Sequence, residues 1–230
     1  MSLGMQTTFR RHAWLAAFAL TCALAPAQAA PQISMVTSKG TIVLELDSLK
    51  APITVANFME YARSGFYGGT IFHRVIKNFV IQGGGHTEDL TLKPTRPAIR
   101  NEANNGLKNA RGTIAMARDP KPHTATSQFY INLVNNVNLD FKDTATASGW
   151  GYCVFGKVVS GMNVVDSIAV VPTALKNGMA DVPITPILVS QVSGVPTGLI
   201  APGKIRSPAS LVVYGLDGRR IDGRFLRTGR

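Results

Sequence analysis

Arg74 is the residue whose setting in this sequence first suggests chemistry. It has Phe72 before it and Val75 after it, so a cation stands among residues that favour burial. Because burying an unpaired charge is costly, Arg74 either points to water on the polar face of a strand or acts beside an apolar surface. The stretch 72–85 predicts two short strands joined by a tight corner at Lys77-Asn78.

The residue types that most enzymes use for nucleophilic, acid–base or metal chemistry are scattered along the chain. His73, His86 and His123 have no carboxylate or cysteine at metal-ligand spacing. The sequence contains no nucleophile elbow and no dinucleotide fingerprint. The glycine run 83–85 lacks the Lys-Ser/Thr of a phosphate loop, so it favours a bulge or corner. We therefore expect neither a metal nor a cofactor.

Strand alternation places a small set of side chains on one face. If residues 72–85 form a two-strand corner, Arg74, Val80 and Gln82 have the same parity, and Tyr130 faces away from the interior on its own strand. This surface is either an ordinary polar sheet face or an apolar shelf that carries two strong hydrogen-bonding groups. The pattern alone does not decide between them.

The remaining pattern predicts about eight short strands and two amphipathic helices. One helix begins at Pro52 and ends at Gly65, and the other begins at Gly161 and stops before Pro172. Many short strands with turn signals indicate an all-β fold, namely a closed eight-stranded antiparallel barrel capped by two α-helices. Strands are expected at residues 31–39, 41–47, in the pair within 72–85, and at 113–117, 128–133, 152–159 and 184–192.

The first 29 residues have the features of a cleaved secretory signal peptide. Arg10-Arg11 precede the apolar run 13–25, and an A-x-A pattern ends at Ala29. A run of thirteen residues is short for a membrane span, so we expect a periplasmic protein without stable membrane insertion. The paired arginines leave the twin-arginine route open as the alternative to general export. Removing residues 1–29 leaves Cys153 without a disulfide partner, which favours a small buried thiol over a reactive one.

The net charge of +11 is unevenly distributed along the chain. Residues 1–29 contribute +2, residues 196–230 contribute +5, and +4 remains on residues 30–195. The basic character is therefore largely a property of the tail, and no interleaved basic and aromatic stripe indicates a nucleic-acid partner. We predict one monomeric domain at 30–195 and a basic, disordered tail at 196–230. A docked hairpin or a partner-binding segment is the alternative for the tail.

Several stretches resemble the signature sequences of the cyclophilins, which are peptidyl-prolyl cis–trans isomerases. The resemblance extends over about residues 32–195, and the motifs follow the order of that family. NEA at 101–103 and GWGY at 149–152 are similar to the exported bacterial branch. The other stretches are ANF at 56–58, FHRVI at 72–76, FVIQGG at 79–84, RGTIAMA at 111–117, TSQFYIN at 126–132 and VFGKVVSGM at 154–162.

The resemblance implies a packed barrel interior and a site on the outer face. It implies that Arg74 hydrogen bonds toward the prolyl nitrogen, that Gln82 orients Arg74, and that an apolar pocket holds the proline ring. It assigns catalytic positions to Arg74, Phe79, Gln82 and Tyr130, and substrate-binding positions to His73, Val80, Ala117, Arg118, Gln128, Phe129, Leu139 and Tyr152. For the peptide on either side of the proline, it implies contacts with backbone groups near Ala117 and Arg118.

Five positions depart from the pattern that the resemblance implies. Val80 stands for the usual methionine, Tyr130 for phenylalanine and Arg118 for asparagine. Asn138 and Tyr152 replace the tryptophan and histidine of drug-sensitive eukaryotic members. We therefore expect isomerase activity with weak cyclosporin binding, and a preference for acidic residues near the proline through Arg118.

The leading functional hypothesis is an isomerase that acts on X–Pro bonds of unfolded or newly exported polypeptides. The alternative is a proline-recognising periplasmic chaperone or scaffold with little turnover. A third hypothesis is a basic surface-associated factor that uses its tail as an anchor.

Overall fold

The computed structural model describes residues 30–194, together with the backbone of residues 213–214 and 220–221. The predicted signal peptide, residues 1–29, lies outside the described residues. Within 30–194 the strands are β1 (Gln32–Thr37), β2 (Gly40–Leu46), β3 (Thr70–Ile71), β4 (Arg74–Ile76), β5 (Val80–Gly83), β6 (Thr113–Met116), β7 (Phe129–Asn132), β8 (Val154–Ser160), β9 (Thr173–Lys176), β10 (Met179–Pro183) and β11 (Leu188–Gly194). The helices are α1 (Pro52–Arg63) and α2 (Met162–Ala169), and short 3-10 turns occur at Ala103–Asn105 and Val137–Leu139.

Nine of these strands form one antiparallel sheet in the order β3-β11-β1-β2-β8-β6-β7-β5-β4. The two edge strands, β3 and β4, are separated on the chain only by Phe72 and His73. One continuous segment therefore lies at both edges, and the sheet is strongly curled. The predicted all-β fold with two helices is confirmed. Nine strands replace the predicted eight because the strand that carries Arg74 is interrupted.

Side chains fill the inside of the curled sheet. Ile33, Leu44 and other alternate residues of the first hairpin are fully buried. Phe58 of α1 contacts three aromatic rings, with centroids 5.1 Å from Tyr67, 5.7 Å from Phe129 and 5.3 Å from Phe155. A core packed in this way leaves ligand binding to the outer face.

The beginning of α1 is fixed by a carboxylate from a distant loop. The Glu102 side chain accepts hydrogen bonds from the backbone N–H groups of Ile53 and Thr54, at 3.1 and 2.8 Å. A negative charge at this position also opposes the helix dipole. Cys153 lies behind the same helix turn, with its Sγ 3.4 Å from the Thr54 hydroxyl. The thiol is buried, so the interpretation of a small buried thiol is confirmed.

An additional hairpin follows α2 where the sequence analysis placed no element. Strands β9 and β10 pair around Asn177 and Gly178, whose φ angles are +48° and +79°. Two positive φ angles at Asn-Gly are typical of a type I′ hairpin turn. The predicted start of the last strand at Ile184 was therefore wrong, since β11 begins at Leu188.

Among the described residues, no helix combines the length and apolar character needed to cross a membrane. The described parts of the predicted tail are two short strands, β12 (Val213–Tyr214) and β13 (Arg220–Ile221), which pair antiparallel. The rest of residues 196–230 lies outside the described part of the chain, and the expectation of disorder there stays a prediction.

Candidate active site

The register of five neighbouring strands places the candidate residues in one row. Arg74 of β4 pairs with Gln82 of β5, and Gln82 pairs with Tyr130 of β7. Tyr130 in turn pairs with Ala115 of β6, and Ala115 pairs with Val154 of β8. Paired residues point to the same side of a sheet, so this row lies on the outer face, as the alternation predicted.

Arg74, Gln82 and Tyr130 of this row line a pocket of about 360 Å³. The deepest side chains form a small apolar cluster, separate from the barrel core, in which Val80 and Tyr130 are 2% and 4% exposed. The outer face is therefore an apolar shelf rather than an ordinary polar sheet face. Nine residues line the pocket: Arg74, Phe79, Val80, Gln82, Ala117, Arg118, Tyr130, Leu139 and Tyr152.

Arg74 is held from one side by a chain of two glutamines. Its Nη1 donates to Gln82 Oε1 at 3.5 Å, and Gln82 Nε2 donates to Gln128 Oε1 at 3.0 Å. Gln128 thus fixes the amide of Gln82, which in turn presents its oxygen to the guanidinium. The contact with Arg74 is the longer of the two, so Gln82 alone holds the guanidinium only weakly.

The glycine run beside this chain allows close packing. A Cβ atom at Gly84 would lie 2.7 Å from the Phe129 ring, and one at Gly85 would lie 2.6 Å from Gln128 Cγ. Gly84 also has a φ of +85°, which disfavours other residues. The run therefore bends the chain and lets residues 128–129 approach, which agrees with the predicted corner.

Asn109 joins the floor of the pocket to its walls. Its Oδ1 accepts a hydrogen bond from the Tyr130 hydroxyl at 2.7 Å. Its backbone N–H donates to Asp140 Oδ1 at 2.7 Å, and its Nδ2 donates to the Leu139 carbonyl at 3.1 Å. The hydroxyl of Tyr130 is therefore satisfied beneath the pocket. Burial and the nearby side chains of Tyr152, Cys153 and Asp140 raise the pKa of Tyr130, so it remains a neutral donor.

Arg118 ties the pocket wall to two loops. Its Nε donates to the Gly151 carbonyl and its Nη2 to the Ala147 carbonyl, each at 2.9 Å, and its Nη1 donates to two carbonyls of the 119–120 turn. The guanidinium also lies 4.6 Å from the ring centroid of Tyr152. These contacts use four of the five N–H donors, so direct binding of an acidic substrate residue is limited to the one that remains.

His73 lies behind the pocket rather than in it. It is 3% exposed, and its ring centroid is 4.3 Å from that of His86. Burial, and then the charges of His86 and Arg74, lower the pKa of His73 to about 3. The imidazole is neutral at physiological pH and supports the strand that carries Arg74. Within residues 30–194 no three side chains of His, Cys, Asp or Glu are grouped to hold a metal ion.

Two other predicted substrate-binding residues lie differently from expectation. The Phe129 side chain is fully buried in the barrel core, because it has the opposite parity to Tyr130 on β7, so it does not face the pocket. The Ala117 side chain lines the pocket, but its backbone N–H donates to the Gln128 carbonyl at 3.0 Å and is already used. Gln128 is linked to Arg74 only through Gln82.

Sequence reasoning missed Asn109, Asp140 and Asp181. Asn109 and Asp140 belong to loops, whose sequences lack the periodic pattern of a helix or strand. Their roles arise only when those loops meet beneath the pocket. Asp181 belongs to the β9–β10 hairpin, and its Oδ2 lies 4.0 Å from Arg74 Nε. The Asn177-Gly178 turn signal could have revealed that hairpin, but not the neighbour that it contacts.

The fold and site thus define a curled antiparallel sheet with a filled interior and an arginine beside an apolar pocket on its outer face. The profile described as "Cyclophilin type peptidyl-prolyl cis-trans isomerase/CLD" matches residues 32–193. This chain belongs to the cyclophilin-type peptidyl-prolyl cis–trans isomerases.

The individual relatives agree with this assignment. The chain is 52% identical over 157 residues to peptidyl-prolyl cis-trans isomerase cyp18 of Streptomyces antibioticus, covering 68% of this chain and 94% of that protein. It is 49% identical over 170 residues to peptidyl-prolyl cis-trans isomerase A of Dickeya dadantii, covering 73% and 87%. The crystal structure of a Cryptosporidium parvum cyclophilin type isomerase matches with a TM-score of 0.59 and 26% identity, over 72% of this chain and 98% of that one. The chain is therefore a peptidyl-prolyl cis–trans isomerase, and its substrates are proline-containing peptides.

Replacing Tyr130 by phenylalanine tests what its hydroxyl contributes to stability while the shape of the pocket floor is kept. Tyr130→Phe keeps the ring but removes the hydroxyl that donates to Asn109, so we expect a loss of about 1 kcal/mol in the free energy of unfolding. Isomerase activity should change by less than about threefold, because the apolar surface is retained. Urea unfolding and a cis–trans assay measure the two quantities. Tyr152→Phe is the matched control, since the Tyr152 hydroxyl makes no hydrogen bond within residues 30–194; equal losses in both variants would contradict the role of Asn109.

The buried His73 predicts a stability that depends on pH. Its pKa is lowered from 6.5 to about 3 in the folded chain, so below pH 6.5 unfolding takes up a proton. The contribution of His73 to the free energy of unfolding is therefore fully present above pH 6.5. It falls as the pH drops toward 3, by up to about 1.4 kcal/mol per pH unit. The free energy of unfolding of His73→Gln, measured between pH 7 and 5, should decline less steeply than that of the wild type. Parallel curves would contradict the assignment.

Proposed function

We propose that Arg74 catalyses rotation about X–Pro bonds by hydrogen bonding to the prolyl nitrogen of the twisted amide. The observation that carries this proposal is the position of the guanidinium at the edge of an apolar pocket on the outer face. Gln82 occupies Nη1, and Nη2 has no hydrogen-bond partner within the described part of the chain. A cationic donor is therefore available beside a site that fits a proline ring.

The chemistry of amide rotation explains why one donor is sufficient. Resonance gives the C–N bond partial double-bond character and a barrier of about 18–20 kcal/mol. Twisting the bond breaks this resonance and localises a lone pair on nitrogen, which then becomes a hydrogen-bond acceptor. A donor that meets this lone pair binds the transition state better than either planar form. One such donor is worth about 3–4 kcal/mol where water is excluded.

The apolar walls supply the second part of the proposed mechanism. Val80 and Tyr130 form the buried base, while Phe79 and Leu139 are partly buried beside them. A proline ring seated against these side chains displaces water from the neighbourhood of Arg74. Because charges interact more strongly when water is removed, the same packing that holds the ring also strengthens the hydrogen bond.

The proposed setting rests on the first 29 residues and on two internal motifs. The signal-like features of residues 1–29 support export to the periplasm, as does the similarity of the NEA and GWGY motifs to the exported bacterial branch. The substrates proposed there are X–Pro bonds of unfolded or newly exported polypeptides, which isomerise slowly without a catalyst. We propose that the chain acts as a monomer.

The catalytic role is tested by substituting Arg74. Arg74→Ala should lower kcat/KM for a short X–Pro peptide by about 100-fold or more, because the donor to the prolyl nitrogen is lost. Arg74→Lys should retain part of the activity, since a cation remains without the planar fork. Cis–trans exchange measured by NMR gives the rates without a coupling protease.

Arg63→Ala is the control, because Arg63 is an exposed arginine at the end of α1, outside the pocket. An Arg74→Ala protein as fast as the wild type would refute the mechanism. A wild-type protein that binds proline peptides without turnover would instead favour the chaperone or scaffold.

The walls of the pocket predict weak binding of cyclosporin. Val80 is smaller than the methionine it replaces, and Asn138 and Tyr152 stand where drug-sensitive members have tryptophan and histidine. We expect inhibition only at micromolar concentrations, measured by the same exchange assay, and a gain in Asn138→Trp. A nanomolar inhibition constant for the wild type would contradict this prediction.

A further inference from the structure

The β9–β10 hairpin brings a carboxylate to the edge of the pocket. Strand β10 packs beside β4, and Asp181 of β10 places its Oδ2 4.0 Å from Nε of Arg74. Within residues 30–194 this is the one carboxylate that forms an ion pair with Arg74. No motif in the sequence analysis pointed to Asp181.

The backbone at Asp181 has a shape that directs its side chain. The residue has a φ of +61°, and the register of the hairpin shifts between Met179 and Val182. A bulge of this kind commonly changes the direction of a side chain beside a functional site. A positive φ is also a costly conformation for a non-glycine residue. The positive φ occurs at the residue whose carboxylate pairs with Arg74.

We infer that Asp181 is a positioning residue for Arg74, an inference that depends on the proposed catalytic role of that arginine. Gln82 Oε1 accepts a hydrogen bond from Nη1, and the Asp181 carboxylate attracts the guanidinium charge from 4.0 Å beside Nε, so one hydrogen bond and one ion pair act on different nitrogens. Together they restrict rotation of the plane. They leave Nη2 as the donor for the prolyl nitrogen.

The expected size of the effect follows from exposure. The side chains of Arg74 and Asp181 are 38% and 40% exposed, so solvent screens their attraction. Losing the carboxylate should therefore reduce the rate by about two- to fivefold, far less than losing Arg74 itself. The effect should appear in kcat rather than in KM, because orientation of the donor matters most when the amide is twisted.

Asp181→Asn is the variant that isolates the charge. Asparagine tolerates a positive φ as well as aspartate does, so the hairpin keeps its shape while the carboxylate is lost. We expect kcat to fall two- to fivefold with KM unchanged within about 1.5-fold. We also expect the ¹⁵N–Hε resonance of Arg74, identified by its absence in Arg74→Lys, to shift and to exchange faster with water.

Asp166→Asn is the matched control. Asp166 is 48% exposed and pairs with Arg111, outside the pocket lining, so this variant removes an equivalent surface carboxylate. It should change neither kcat nor the Arg74 resonance. An Asp181→Asn protein with wild-type kcat, an unchanged Arg74 resonance, or a loss of kcat matched by Asp166→Asn would each overturn the inference.

The two proposals fail in different ways. If Arg74→Lys and Arg74→Ala keep wild-type rates, the catalytic role of Arg74 is refuted, whatever the resonance shows. If those variants are slow while Asp181→Asn leaves kcat or the resonance unchanged, only the role of Asp181 is refuted.

Discussion

The segment from Thr70 to Ile76 imposes the constraint on which the rest of the structure depends. It contributes both edge strands, so the sheet must curl until its two ends meet along one stretch of chain. Curling divides the side chains of every strand into an inner and an outer set. The inner set fills the barrel with rings such as Phe129 and Phe155, and Phe58 of α1 packs against both. Binding is therefore confined to the outside, and Arg74 begins the row of residues that forms it.

A second constraint is that an apolar pocket on an exposed surface needs a polar frame. The pocket residues alone would collapse or shift, because few apolar neighbours cover them from the solvent side. Asn109 holds the floor from beneath through Tyr130, and Arg118 holds the wall from behind through four backbone carbonyls. Because these polar groups are satisfied within the protein, they stiffen the pocket without competing for substrate.

Local periodicity was sufficient to predict the parts of the site that lie on strands. Arg74, Val80 and Gln82 were placed on one face because side-chain direction alternates along every strand. The same alternation excludes the side chain of Phe129 from the pocket, although the family resemblance had suggested it. The fold class was also predicted, because many short strands with turn signals and two isolated helices are typical of a capped antiparallel barrel, but the strand order was not.

The remaining features depend on contacts between segments far apart in the chain. Asn109 meets Tyr130 and Asp140 only after two loops fold beneath the sheet, and no spacing in the sequence encodes that meeting. Asp181 reaches Arg74 because a bulge shifts the register of its hairpin. No distinctive residue type marks that bulge in the sequence. The Arg118 guanidinium looked available for acidic ligands, yet carbonyls of two loops occupy most of its donors.

The burial of Cys153 has a consequence for the reactivity of its thiol. Loss of hydration raises the pKa of this thiol to about 11, so at pH 7 only about one molecule in ten thousand carries the thiolate. Thiol–disulfide exchange proceeds through the thiolate, and the sulfur is also shielded from other chains. Cys153 is therefore poorly placed to form a mixed disulfide with a cysteine of a bound peptide.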